Sequence, residues 1–426
     1  MRRMQNVCLA GLMLGLTSLA SAQIDSTVRA IGVDTAKAAI PLEEVSSGGP
    51  PPQGIPALGF SGDRAGAAGP SPAPKYVAQT AAAWLGAEEP VIAVTLGGES
   101  RAYPLQILTW HEIVNDTLGG VPVAVTFCPL CNSALAFDRR VPLTNDTLEE
   151  LRELTPELVT TDPGEAFRRA YGLQTADAEL VAGLEVTFGV SGLLYNSNLL
   201  MFDSESRTLW SQLVGEGAVG ALTGAALLRY PAQIVSFADF RKAFPAGSVL
   251  SRETGFSRDY GANPYVGYDR ADTPPFLFSG ETDGRLPPKT RVVTLGRGGE
   301  AAAYPFDVLA SVGVVNDDVG GEPLAFFWQP GTRSALDAGA IAKGEDVGAV
   351  GVFSRTLDSV TLTFVREGAV FKDAETGSSW NLLGQAVAGK LKGEQLVAVP
   401  HDNTLWFAWA AFRPDTRIYG AADDGS

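Results

Sequence analysis

Ala102–Arg139 reads AYPLQILTWHEIVNDTLGGVPVAVTFCPLCNSALAFDR, and it holds one of the chain's two histidines, His111, and two of its three cysteines, Cys128 and Cys131. Its second half, VPVAVTF over 121–127, is a valine-rich apolar run that predicts a strand buried on both faces and running into Cys128-Pro129-Leu130-Cys131. Its first half predicts a short helix behind Pro104 that carries His111 and ends near Asn115-Asp116, with Gly119-Gly120 as the following turn. Immediately upstream, VIAVTL from Val91, the turn Gly97-Gly98 and SRAY predict a β-hairpin closing at Pro104.

The same pattern returns later in the chain. Ala102-Tyr103-Pro104 recurs as Ala303-Tyr304-Pro305 and Val114-Asn115-Asp116 as Val315-Asn316-Asp317, and the same spacing carries Gly119-Gly120 onto Gly320-Gly321. Further on, Leu209-Trp210-Ser211 answers Ser379-Trp380-Asn381 at a shorter spacing, so the first copy holds extra residues, placed at about 142–183 where DTLEELRELTPEL and PGEAFRRAY are charged and helix-prone. The expected fold is therefore α+β and β-rich: two degenerate tandem copies of one domain, about 76–258 and 264–420, with short helices and a helical insertion in the first. FADFRKAF puts Phe237, Phe240 and Phe244 on one helical face as core.

With 426 residues, 45% hydrophobic and 19% charged, the chain can bury a sizeable core, and its 48 Gly and 27 Pro argue for many turns and few long helices. A net charge of −16 argues against nucleic acid as a partner. Residues 1–22 have the basic, apolar and small-residue order of a secretory signal, Arg2-Arg3, then Val7–Leu19, then Ala20-Ser21-Ala22. The apolar run is interrupted by Thr17 and Ser18 and falls short of the about 18 residues that a membrane span needs. The expectation is an exported, soluble protein, periplasmic or extracellular, with no membrane span after cleavage. Residues 23–75, rich in Pro, Gly and Ala, predict an extended N-terminal arm.

Taken together, AYP, WHEIVND, TFCPLCNSALAFDR, FGVSGLLYNSNLLMFD and LWSQL resemble a bacterial and archaeal family known as domain of unknown function 3179. The resemblance covers most of the chain and is full in the first copy. It implies domain identity and no reaction, cofactor or partner, so the chemistry has to come from the residues.

Loss of the signal would leave two cysteines, two histidines and Met201 as the only soft donors. Four readings of them are open. His111, Cys128 and Cys131, completed by Met201, suit a soft metal, copper or zinc, and this reading leads. The runner-up is a thiol–disulfide redox pair at Cys128 and Cys131, and the third is a structural disulfide in an exported scaffold or binding module. A cysteine nucleophile with His111 as base comes last. In the bland reading Met201 fills a core gap and His111 is a polar helix residue bonded to Asp116. Copy comparison favours the trio, because His111, Cys128 and Cys131 correspond to Val312, Gln329 and Thr332. His401, in the second copy, reads as a surface or capping residue. The glycines of 296–299, with no following helix, read as a hairpin turn and not a phosphate loop.

Overall fold

The computed structural model describes residues 23–62, 69–154, 160–161, 180–368 and 370–420. The candidate signal, 1–22, and the PGEAFRRAY segment lie outside them. The protein is β-rich with few helices, distributed over many small sheets. Among the described residues no helix is long and apolar enough to cross a membrane. The chain divides into two compact units, one of residues up to Ser71 with 139–227, the other of 72–138 with Leu228 onward.

The second of these units carries the motif stretch. Strands β1 (Pro90–Leu96) and β2 (Glu99–Pro104) form the expected hairpin, with Val91 opposite Pro104 and Leu96 opposite Glu99. Helix α1 (Leu105–His111) follows and stops before the expected end near Asn115-Asp116, because Glu112 turns into positive φ and Ile113-Val114, both β-branched, start strand β3 (Ile113–Leu118). β3 pairs antiparallel with β4 (Val121–Cys128), and β4 with β5 (Ser133–Asp138). The dithiol therefore sits in a hairpin loop between two strands and not ahead of a helix.

After the excursion through 139–227, β6 (Gln233–Ser236) pairs antiparallel with β1, and β7 (Ser248–Leu250) runs parallel to β2. Between them, helix α2 (Phe237–Ala243) is capped by Ser236, whose Oγ accepts from Asp239 N at 3.0 Å, and it buries Phe237 and Phe240. The later part of the unit has the same order: β8 (Arg291–Arg297), β9 (Glu300–Pro305), α3 (Phe306–Val312), β10 (Val314–Val319), β11 (Glu322–Gln329) and β12 (Ala349–Ser354). There β13 (Asp402–Leu405) pairs antiparallel with β8, helix α4 (Trp406–Ala410) follows it, and β14 (Arg417–Ile418) runs parallel to β9.

Two glycine turns explain why the paired Gly-Gly motifs stand where they do. A Cβ on Gly97 would lie 2.2 Å from the carbonyl oxygen of Gly119, and one on Gly119 would lie 2.2 Å from that of Leu96. Only backbone fits where these turns cross. Gly298 and Gly320 meet in the same way, at 2.4 Å and 2.1 Å.

In the other unit, residues 23–31 are helical and Val45–Ser47 pairs with Phe188–Tyr195, so part of the Pro/Gly-rich arm joins a five-stranded sheet. Phe60 packs edge-on against Phe202 at 5.2 Å. In that sheet the buried Asp203 accepts from Trp210 Nε1 at 2.8 Å and from Ser206 Oγ at 2.6 Å. Within 142–183, Asn145–Leu154 forms the expected helix, but Leu180–Glu185 pairs with Arg140–Thr144, so the stretch is part helix and part sheet.

Candidate functional site

The Cys-Pro-Leu-Cys loop closes tightly, with Cys131 N donating to Cys128 O and Asn132 N to Pro129 O, each at 3.2 Å. Asn132 takes φ 53°, a left-handed conformation that asparagine tolerates. Strand β13 and the segment before β8 hold the loop from outside. Leu405 N and Thr404 Oγ1 donate to Cys131 O at 2.8 and 3.0 Å, and Tyr268 OH donates to Leu130 O at 2.9 Å.

Cys128 and Cys131 are 2% and 0% exposed and are not joined in a disulfide. No helix starts behind the first thiol, since a strand precedes it and a strand follows the loop. The group beside Cys128 is instead Glu112. Its carboxyl is 7% exposed, and burial first, then the neighbouring Cys128, hold it well above the usual carboxylate range. Glu112 reaches this place through an unusual backbone, φ 56° and ψ −33°, anchored by Glu112 N to Leu108 O and Phe127 N to Glu112 O, both at 2.7 Å. The corresponding C-cap of α3 is Gly313, at φ 75° and ψ −31°.

His111 is buried, and its Nε2 lies 2.6 Å from Tyr260 OH, which lies 2.5 Å from Thr254 Oγ1. The ring also stands 5.4 Å from Phe256. Burial, with Glu112 and Cys128 adding to it, pushes the Tyr265 phenol far up. Tyr260 lies between the two predicted copies, and Tyr265 and Tyr268 lie at the start of the second.

His111, Cys128 and Cys131 thus belong to one unit, but among the described residues no three His, Cys, Asp or Glu side chains converge as a metal-ligand group. Met201 belongs to the other unit, buried on Asn198–Asp203 with Val190 and Trp210 as cross-strand neighbours. His401 is not a surface residue: it is 2% exposed, with Nδ1 2.8 Å from Val399 O, and burial lowers its pKa to about 4.

Sequence reasoning passed over Glu112 and the three tyrosines. A signal for Glu112 was present, since it adjoins His111 in WHEIVND and stands opposite a glycine in the second half of the chain. The tyrosines carried none, because nothing in the spacing of residues 260–268 says what they pack against.

No curated protein and no solved structure matches this chain. Residues 52–416 match a family model described as a protein of unknown function (DUF3179), more than half of the chain, and the protein belongs to that family.

Proposed function

We propose that Cys128 and Cys131 are a redox-active dithiol and that Glu112 is its buried proton acceptor and donor. The observation that carries this is the Glu112 carboxyl beside Cys128, raised in pKa by burial and kept on a backbone that its counterpart leaves to glycine. A carboxylate of raised pKa approaches the basicity of a thiolate, the condition under which proton transfer between them is efficient.

The reaction balances as follows. Cys128 gives its proton to Glu112, and its thiolate attacks one sulfur of a substrate disulfide. The other sulfur leaves as a thiolate and takes the proton from Glu112. Cys131 then attacks Cys128 Sγ, closing the intramolecular disulfide, and its proton goes to the second departing thiolate. Two electrons and two protons pass from the pair to the substrate, which leaves as two thiols. Both thiols are buried, so the loop has to open for the substrate to reach them.

Copper or zinc at His111, Cys128, Cys131 and Met201 is the second reading, since among the described residues no three His, Cys, Asp or Glu side chains converge. One experiment separates the two. The secreted protein is purified without chelator, its metal content is measured, and it is titrated against glutathione redox buffers with thiol alkylation read by mass. The expected result is a reversible two-electron transition, slowed about a hundredfold in exchange rate by Glu112→Gln. A disulfide that mild reductant does not open would overturn the redox reading. Near-stoichiometric copper or zinc, absent from Cys128→Ser/Cys131→Ser, would replace it with the metal one.

We also infer that the chain is two tandem copies, 76–258 and 264–420, exported to the periplasm or medium after cleavage behind Ala22. Supporting the copies are the matching strand senses, the two crossed glycine turns, and paired bonds. Tyr103 OH donates to Asp116 Oδ2 at 2.5 Å and Tyr304 OH to Asp317 Oδ2 at 2.7 Å, while Trp380 Nε1 to Asp373 Oδ2 at 2.9 Å answers the Trp210 bond. The same mass measurement reads export, with a mature chain starting at Gln23.

A further inference from the structure

We infer that a cavity in the unit built from 72–138 and Leu228 onward binds a small neutral molecule with an apolar body and an amide-like head. The cavity has a volume of about 280 Å³ and shares no residue with the dithiol site. Its walls are largely aliphatic and aromatic, from Ala93, Pro231, Phe244, Leu383, Leu396 and Ala398, and no charged side chain lines it. An ionised ligand would find no counter-charge there, which favours a neutral occupant. The size and apolar lining are those of a small-molecule site with a few polar groups fixing orientation.

Two glutamines supply the polar groups. Gln233, on β6, is 4% exposed, and its Nε2 has no hydrogen-bond partner among the described residues. A buried amide hydrogen without an acceptor is costly, and a ligand carbonyl removes that cost. Gln395, an exposed residue of the lining, has its Nε2 within 3.0, 3.1 and 3.0 Å of the carbonyl oxygens of Leu383, Gly384 and Leu396. Its two amide hydrogens are shared among those carbonyls, which leaves Oε1 as the group able to accept. Thr95, an exposed residue, has its Oγ1 2.9 Å from Ser100 Oγ. One donor, one acceptor and an apolar chamber describe a carboxamide on an aromatic or branched aliphatic body. β1 and β6 belong to the first predicted copy, and Leu383 to Ala398 to the second. The chamber is therefore a product of the two packed together within this unit.

The test is titration of the full chain with benzamide, and with benzoate in parallel, by calorimetry and by amide chemical shifts. Benzamide is expected to bind saturably, shifting the side-chain amide signals of Gln233 and Gln395, with benzoate at least about tenfold weaker. Gln233→Leu, close in shape but without the donor, is expected to weaken benzamide about tenfold, and Ala398→Trp, which fills the chamber, to abolish it. Absence of saturable binding by the unaltered protein overturns the inference whatever the variants do. So does binding that survives Ala398→Trp, which would place benzamide elsewhere.

Discussion

Glu112 holds a backbone conformation that an L-residue with a Cβ adopts only at a cost of about 1–3 kcal/mol, and Gly313 holds nearly the same one at the end of α3 without that cost. The strain and the buried carboxyl argue in the same direction, since neither helps the fold. Glu112→Gly should therefore raise stability, by up to about 1 kcal/mol after the greater freedom of glycine in the unfolded chain is deducted. It should lose thiol-exchange activity together with Glu112→Gln. Denaturant unfolding beside an exchange assay checks both halves, and a Glu112→Gly protein less stable than its parent would show the residue to be structural. Cysteine and histidine stood out from the sequence because the chain has so few of them. A single glutamate among 48 acidic residues does not stand out, and its meaning lies in a torsion angle that composition cannot express.

For whole elements, the turns were the most legible part. Gly97-Gly98 and Gly119-Gly120 were correctly placed because glycine pairs between β-branched runs admit few conformations. The end of α1 was placed too late, because WHEIVND continues a helix-like spacing that the pairing of β3 with β4 overrides. The two glycines of the second turn should not respond alike. Gly119→Ala drives a methyl into the Leu96 carbonyl and is expected to cost more than about 2 kcal/mol, whereas Gly120→Ala meets open space and pays only for its positive φ, about 1 kcal/mol. Gly320→Ala should match Gly119→Ala. Midpoints of chemical unfolding at unchanged slope decide between them, and equal losses at 119 and 120 would contradict the crossed-turn account.

Across the whole molecule, two titrating groups couple stability to pH in opposite senses. His401 has a folded pKa of about 4 against an ordinary 6.5, so the unfolded chain takes up its proton first. Its contribution is complete above about 6.5 and is lost as the pH falls toward 4, about 3 kcal/mol in all. Glu205, in the other unit, is raised to about 7 by burial and by Asp203, so the folded state holds the proton more tightly, and its contribution is lost as the pH rises from 4.5 through 7. Relative to His401→Gln, the parent should lose stability on acidification. Relative to Glu205→Gln, it should lose stability on the way to neutrality. Unfolding free energies of the three proteins between pH 4 and 7 test this, and parallel curves would refute it. Repetition of sequence blocks pointed to the order of elements in each half of the chain. It could not show that 139–227 would gather with the N-terminal arm, because that grouping depends on pairings such as Val45 with Tyr195, between residues far apart in the chain.

That grouping also sets an order of events during synthesis. Asp138 N bonds Leu228 O at 2.9 Å, and Arg229 pairs with Phe137, so one sheet is sewn together by strands that leave the ribosome on either side of 139–227. Neither unit is a continuous run of chain, and neither can be completed while the other is still unspoken. β3, β4 and β5 can pair as they emerge, but the outer edge of β5 stays open until Leu228 to Tyr230 arrive. Closing so long an intervening loop costs only about 0.6 kcal/mol for each doubling of its length, so the penalty of this architecture falls on time far more than on equilibrium.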